Sequence, residues 1–146
     1  VMMEAASAAD SYGYITNLPE QWDAPVARRG DNFSGGQRQR LSMTRTLTTE
    51  HGLLILDDST SALDVATESR VQEAIPKLDP GRTIIYVAQR ISAVLDLDQI
   101  YLMDSGEIVA EGTHEELMKS SSLYQDIYES QLGSDVLAGI DEEVTS

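Results

Sequence analysis

Two short apolar runs and several segments of helical period organise the chain. Leu53-Leu54-Ile55-Leu56 is apolar without interruption, and Thr83-Ile84-Ile85-Tyr86-Val87 is nearly so and rich in β-branched residues. Runs of this length and make-up predict strands of a parallel sheet, buried on both faces. Between them, Asp64 is placed to cap a helix from Val65 to about Leu78, and Asp79-Pro80-Gly81 makes a turn. Upstream, residues 1–11 are Ala-rich and predict a helix, and residues 12–31 are irregular, broken by Pro19, Pro25 and Gly30. A helix is predicted from Gly36 to about Glu50, with Gly52 as its C-terminal stop. Downstream, a short helix is predicted over 91–95. Gln99–Met103 and Glu107–Ala110 read as hairpin strands around Asp104-Ser105-Gly106. Thr113-x-x-Glu116 is a capping box that opens a helix. A last helix runs from about Leu123 to Leu132, and residues 133–146, with Asp135, Asp141, Glu142 and Glu143, read as a frayed acidic tail.

Strand and helix alternate through the middle of the chain, which predicts an α/β fold with parallel strands. Ligands of such sheets sit beyond the carboxyl ends of the strands. Asp57 and Asp58 follow the first strand and Gln89 follows the second. Ahead of the first strand, Ser34-Gly35-Gly36-Gln37 puts a hydroxyl and two backbone N–H groups at the mouth of a helix. That is an anion site, because helix N-termini carry unpaired donors and partial positive charge. Glycine would let a phosphate approach without a Cβ in the way.

Composition narrows the partners. The net charge of −15 argues against nucleic acid or an anionic membrane as the main surface bound. The cations are uneven, however: Arg28, Arg29, Arg38, Arg40 and Arg45 meet only Asp31 as an acid between positions 28 and 45. This island reads either as a phosphate-facing patch or as a solvated helix face. There is no Cys, and His51 and His114 lack ligand spacing. No apolar run approaches the roughly 20 residues that span a bilayer. Arg29-Gly30-Asp31 and Asn32-Phe33-Ser34 mimic an adhesion tripeptide and a glycosylation sequon, with no export signal to give either meaning. Thr113-His114-Glu115-Glu116 lacks the i, i+4 His pair of a zinc helix.

Taken in order, Ser34-Gly35-Gly36-Gln37, Leu53–Asp58, Ser61-Ala62-Leu63-Asp64 and Val87-Ala88-Gln89-Arg90 resemble the signature, Walker B, D-loop and switch motifs of ATP-binding-cassette (ABC) nucleotide-binding domains. Tyr101 to Leu117 resembles the segment after the switch region in ABC exporters. The resemblance covers about residues 1–132 and matches the C-terminal part of such a domain. It implies a P-loop NTPase-like parallel sheet with helices, plus part of the ABC helical subdomain. Residues 1–50 would be helical subdomain and signature helix, 51–132 the Walker B, D-loop, switch and C-terminal helices, and 133–146 the tail. A P-loop needs Gly-x-x-x-x-Gly-Lys-Ser/Thr. The two lysines, Lys77 after Pro76 and Lys119 after Met118, do not meet that pattern. The adenine-stacking aromatic and the glutamine loop are absent too. The chain is therefore expected to be a piece of a longer one, lacking the Walker A half and inactive by itself.

The resemblance also implies roles. Ser34, Gly35, Gly36 and Gln37 would reach the γ-phosphate of ATP held by a second nucleotide-binding subunit. Asp57 would bind Mg²⁺ through water, as suits a hard cation. Asp58 stands where the family usually has a Glu that orients the attacking water. Its carboxylate is withdrawn by about 1.5 Å, and a 1 Å misplacement can cost about 10²-fold in rate. Gln89 stands where the family usually has a His at the γ-phosphate; it keeps hydrogen-bonding capacity and loses the titratable ring. Asp64 reads equally as a D-loop residue touching the other subunit and as a plain helix cap. Two weakened groups at one nucleotide imply the degenerate site of a heterodimeric exporter. That protein would be an ATPase with ATP and Mg²⁺ as cofactors, tethered through a transmembrane domain to the cytoplasmic face of a membrane. A nucleotide-gated dimerisation module with little hydrolysis and a fragment of a DNA-maintenance ATPase are the alternatives.

Overall fold

The two apolar runs pair with each other. In the computed structural model, which describes residues 1–143 and side chains as far as Gly133, β1 (Leu53–Asp57) and β2 (Thr83–Val87) are parallel. Leu53 lies opposite Thr83, Ile55 opposite Ile85 and Asp57 opposite Val87. A parallel pair needs a crossover, and the helix α4 (Val65–Leu78) supplies it. The chain divides into two units, Val1–Val87 and Ala88–Ser146.

In the first unit, α1 (Met2–Ala8) packs on α3 (Gly35–Leu47) and on α4. The core joins Ala5, Ala8, Ala9, Met43, Leu47, Leu54, Leu56, Leu63, Val71 and Ile75. Small residues on α1 are what let its backbone come close to two helices at once. A short helix absent from the sequence expectation, α2 (Tyr12–Thr16), follows α1. Gly52 is not the stop of α3. That helix ends at Leu47 with Thr48 as C-cap, and the Gly52 carbonyl instead accepts from the Thr83 N–H at 3.0 Å, starting the strand ladder.

The expectation of strands buried on both faces is corrected. β1 alternates, with Leu54 and Leu56 buried while Leu53 and Ile55 are 49% and 58% exposed. On the same face of β2, Ile85 and Val87 are 45% and 52% exposed. Within the first unit, helices cover one face of this sheet. The residue types were read correctly, but the first unit holds no second layer to bury their other side.

In the second unit, β3 (Ile100–Asp104) and β4 (Glu107–Gly112) form the expected antiparallel hairpin. Ser105 (φ 51°) and Gly106 (φ 85°) both lie in the left-handed region, as a tight two-residue hairpin turn requires. α5 (His114–Ser120) starts with the expected capping box, the Thr113 side chain accepting from the Glu116 N–H. Leu117, Tyr124, Ile91 and Ile100 form this unit's core. The last helix does not stop at Leu132. α6 runs Ser122–Glu143, so residues 133–143 of the expected tail are helical backbone, and 144–146 lie outside the described residues.

An apolar, half-covered two-stranded sheet is a template for association. We expect residues 1–146 alone to sediment as oligomers. Ile55→Lys with Ile85→Glu, which places opposite charges on facing positions, is expected to shift the chain toward monomer. A monomeric parent would show that the exposed face is innocuous.

Candidate functional site

Ser34 stands in extended conformation before α3 and closes a full capping box. Its hydroxyl accepts from the Gln37 N–H at 3.2 Å, and the Gln37 side-chain oxygen accepts from the Ser34 N–H at 2.9 Å. The Gly35 and Gly36 N–H groups belong to the first turn and have no intrahelical acceptor. A 13-residue helix thus presents its positive end at this turn. Tyr14, which the sequence reading did not single out, steadies it: its hydroxyl donates to the Gln37 carbonyl at 3.0 Å, and its ring stacks under the Arg40 guanidinium at 4.9 Å. Burial pushes the Tyr14 hydroxyl up to about 12, with Arg40 pulling the other way.

The arginine island is less available than the sequence suggested. Arg40 donates to the Asp10 carbonyl at 2.7 Å and to its carboxylate at 3.0 Å, and Arg70 reaches the same carboxylate at 3.2 Å. Arg38 turns back to donate to the Phe33 carbonyl at 2.6 Å. Arg28, Arg29 and Arg45 are exposed. The counter-ion of Arg40 is therefore Asp10, which lies outside the 28–45 window and was invisible to a local charge count.

The loop after β1 packs directly on the start of α3. A Cβ at Gly36 would meet the Ala62 carbonyl oxygen at 3.0 Å and the Leu63 side chain at 3.4 Å. Glycine at this position thus serves a close backbone approach inside the chain. A Cβ at Gly35 would meet only ordinary contacts, the nearest being the Ala62 Cβ at 3.6 Å. Gln39, one turn into α3, spans the seam. Its side-chain nitrogen donates to the Ser61 hydroxyl at 3.0 Å and to the Asp58 carbonyl at 3.3 Å, and its oxygen accepts from the Ala62 N–H at 2.9 Å.

Asp57 ends β1, and Asp58 follows it with φ 49°. The left-handed region costs an ordinary residue about 1–2 kcal/mol, and Asp is among those that tolerate it. The Asp58 N–H donates to the Val87 carbonyl at 3.2 Å, and the Ser61 hydroxyl donates to the Asp58 carbonyl at 3.1 Å. Both carboxylates are on exposed residues, and no Lys or Arg forms an ion pair with either among the described residues. No group of three or more metal-ligating side chains occurs among the described residues. Two adjacent acids, with other oxygens coming from water and phosphate, fit the way proteins hold Mg²⁺. Further along the loop, the Thr60 hydroxyl donates to the buried Glu68 carboxylate at 2.5 Å.

Asp64 caps α4, accepting from the Thr67 N–H at 2.9 Å and the Thr67 hydroxyl at 2.8 Å. Those bonds hold its carboxyl below the usual aspartate range. The cap role is thus occupied in this chain. Ser34 to Gln37, Asp57, Asp58 and Asp64 all belong to the first unit. Gln89 belongs to the second and is exposed. Its carbonyl accepts from the Gln131 side-chain N–H at 2.9 Å, while the Gln131 oxygen accepts from the Ile91 N–H at 2.6 Å. A glutamine 42 residues downstream thus fixes the backbone at Gln89.

The two glycines separate in a test of stability. Gly36→Ala is expected to lose about 1–3 kcal/mol through overpacking on Ala62. Gly35→Ala is expected to be neutral or to gain up to about 0.5–1 kcal/mol from helix propensity. Urea unfolding of the two variants side by side reads the difference; equal losses would contradict the seam geometry.

Known proteins share this sequence and this shape. The ABC transporter family model matches residues 4–61. The ABC transporter ATP-binding protein YfiB of Bacillus subtilis is 44% identical over 132 residues, which are 90% of this chain and 23% of that protein. A Staphylococcus aureus protein named as a multidrug export ATP-binding/permease protein is 42% identical over 130 residues, 89% of this chain and 22% of its own. A solved bacterial Atm1-family ABC exporter with ATP bound superposes with a TM-score of 0.84 at 34% identity, over 90% of this chain and 23% of that one. The chain spans less than a quarter of the length of each. Among the described residues no helix is long and apolar enough to cross a membrane. With its SGGQ turn seated against the Asp58–Asp64 loop, the chain belongs to the nucleotide-binding domains of the ABC transporter family.

Proposed function

We propose that this chain supplies part of the ATP site of an ABC exporter, giving its signature turn to one nucleotide and its Walker B acids to another. The observation that carries the reading is the seam itself. The positive end of α3 and the acids after β1 are held in one unit yet belong to opposite needs, one attracting phosphate and the other repelling it. An anion at the Ser34–Gln37 turn would gain the Gly35 and Gly36 N–H groups. An anion beside Asp57 and Asp58 would need a cation between them. The two groups therefore serve two nucleotides in a dimer of such domains.

At the nucleotide of this subunit, Asp57 would hold Mg²⁺ through water, and the ion would neutralise charge on the phosphate oxygens. Asp58 would orient the attacking water, from a carboxylate one methylene short of a glutamate. Gln89 would hydrogen-bond the γ-phosphate without titrating. Asp64 would add its D-loop contact to the cap it already makes. Shortened acid and missing imidazole support a weakly hydrolysing site, and so a heterodimer whose partner supplies the stronger carboxylate. The protein would act at the cytoplasmic face of a membrane, anchored by a transmembrane domain such as the permease part named for the Staphylococcus aureus relative. A second reading is a nucleotide-gated dimerisation module that seldom hydrolyses; the same Asp58 and Gln89 favour it. The charge of −15 and the exporter relatives weigh against a DNA-maintenance ATPase.

Two measurements in the full-length heterodimer test this. Asp58→Glu with Gln89→His is expected to raise single-turnover hydrolysis at this subunit's nucleotide when the partner's site is inactivated, by more than either change alone. A flat rate would mean that these residues are not what makes the site slow. Gly35→Asp, whose Cβ meets no close contact within the chain, is expected to abolish nucleotide trapping at the partner's P-loop while sparing this subunit's own, because it sets a carboxylate where the γ-phosphate belongs. Equal loss at both sites in folded, associated subunits would refute the assignment of the turn to the partner's nucleotide.

A further inference from the structure

We infer that Gln39 is a positioning residue for Asp58, so that the signature helix itself sets where the water-orienting carboxylate stands. The inference rests on the role proposed above for Asp58. Gln39 does not belong to the Ser34–Gln37 turn, and its side chain points away from it to the other element. One amide holds three groups of the loop: the Asp58 carbonyl, the Ser61 hydroxyl and the Ala62 N–H, at 3.3, 3.0 and 2.9 Å. Few side chains could do this. The task needs a donor and an acceptor at one distance from the backbone, and a primary amide carries both.

The contact matters because Asp58 stands in a conformation that costs most residues energy and that Asp tolerates better than most. At φ 49° its backbone is in the left-handed region. The two side chains that donate to its carbonyl are Ser61, from within the loop, and Gln39, from α3. Ser61 is in turn held by Gln39. Removing the Gln39 amide would take away one side-chain donor and the contact it makes to the other, leaving the backbone bonds from the Ser61 N–H to the Asp58 carbonyl and from the Asp58 N–H to the Val87 carbonyl. The close approach at Gly36 keeps the helix within reach, since a Cβ there would press on the Ala62 carbonyl and wedge the seam open. Gln39 thus links the turn that would read the partner's nucleotide with the acid that would act on this subunit's own. A shift of α3 on engaging the partner would be passed to Asp58 through one side chain.

The test uses the full-length heterodimer with the partner's site inactivated. Gln39→Met keeps length and helix propensity and removes all three hydrogen bonds. It is expected to lower the single-turnover rate about tenfold with KM for ATP unchanged, since Gln39 would not touch the nucleotide. Hydrogen exchange in peptides covering 58–63 is expected to rise at least tenfold, with α4 unaffected. Gln39→Glu keeps an acceptor for the Ala62 N–H and loses the donor to Asp58. It is expected to slow hydrolysis while leaving Ala62 protected. In an Asp58→Asn background, Gln39→Met is expected to cost nothing further, because the group it positions is gone. An undiminished tenfold loss in that background would overturn the inference, as would faster exchange at 58–63 with an unchanged rate. If Asp58→Asn itself leaves the rate flat, the role of Asp58 has failed and the inference falls with it. That outcome is told apart from failure of the Gln39 contact alone by the Asp58→Asn arm.

Discussion

How near α3 can come to the loop after β1 governs the rest of this structure. The approach is set by the missing Cβ of Gly36, 3.0 Å short of the Ala62 carbonyl. At that separation a glutamine one turn further along the helix reaches three polar groups of the loop with ordinary hydrogen-bond lengths. Those bonds hold a loop that carries a left-handed aspartate. Move the helix out by the radius of a methyl group and the hydrogen bonds lengthen together. Glycine at position 36 is thus a packing requirement before it is a binding one.

Much of the first unit hangs from a second junction, at Asp10. One carboxylate accepts from Arg40 on α3 and from Arg70 on α4, and its own carbonyl takes Arg40 again. α1 and its following turn are therefore tied to both helices that flank the sheet. Below this polar bracket lies the alanine contact of α1 with the core. The Ser11 and Thr44 hydroxyls, 2.7 Å apart and buried, add a polar contact between the same elements. The site's geometry is thereby referred to a frame of three helices.

What the sequence made legible follows from what is local. Strand runs, the caps at Ser34, Asp64 and Thr113, and the Ser105-Gly106 turn depend on neighbours within four residues. The structure has each of them. The order of the motifs was enough to name the family, because four short patterns in sequence constrain each other. What escaped was long-range. No local count reveals that Asp10 answers Arg40 across 30 positions, or that Gln131 holds the backbone at Gln89. Gln39 passed as an ordinary helix residue because its partners sit 19 to 23 positions away. The error over β1 and β2 was of another kind. An apolar run tells that a strand could be covered on both faces, and the covering layer is a property of other residues. The expected close at Leu132 rested on acidity, which does not by itself end a helix.

The left-handed backbone at Asp58 has a consequence for how this position can change over generations. Asp and Asn both tolerate that conformation, and β-branched side chains suit it least. The turn therefore filters candidates by shape and is blind to their charge. A single-base drift from Asp to Asn would pass every test the fold applies and would be caught only by what the carboxylate does. Folding stability offers no safeguard for the charge at this position. Its persistence in a lineage would record selection on chemistry alone.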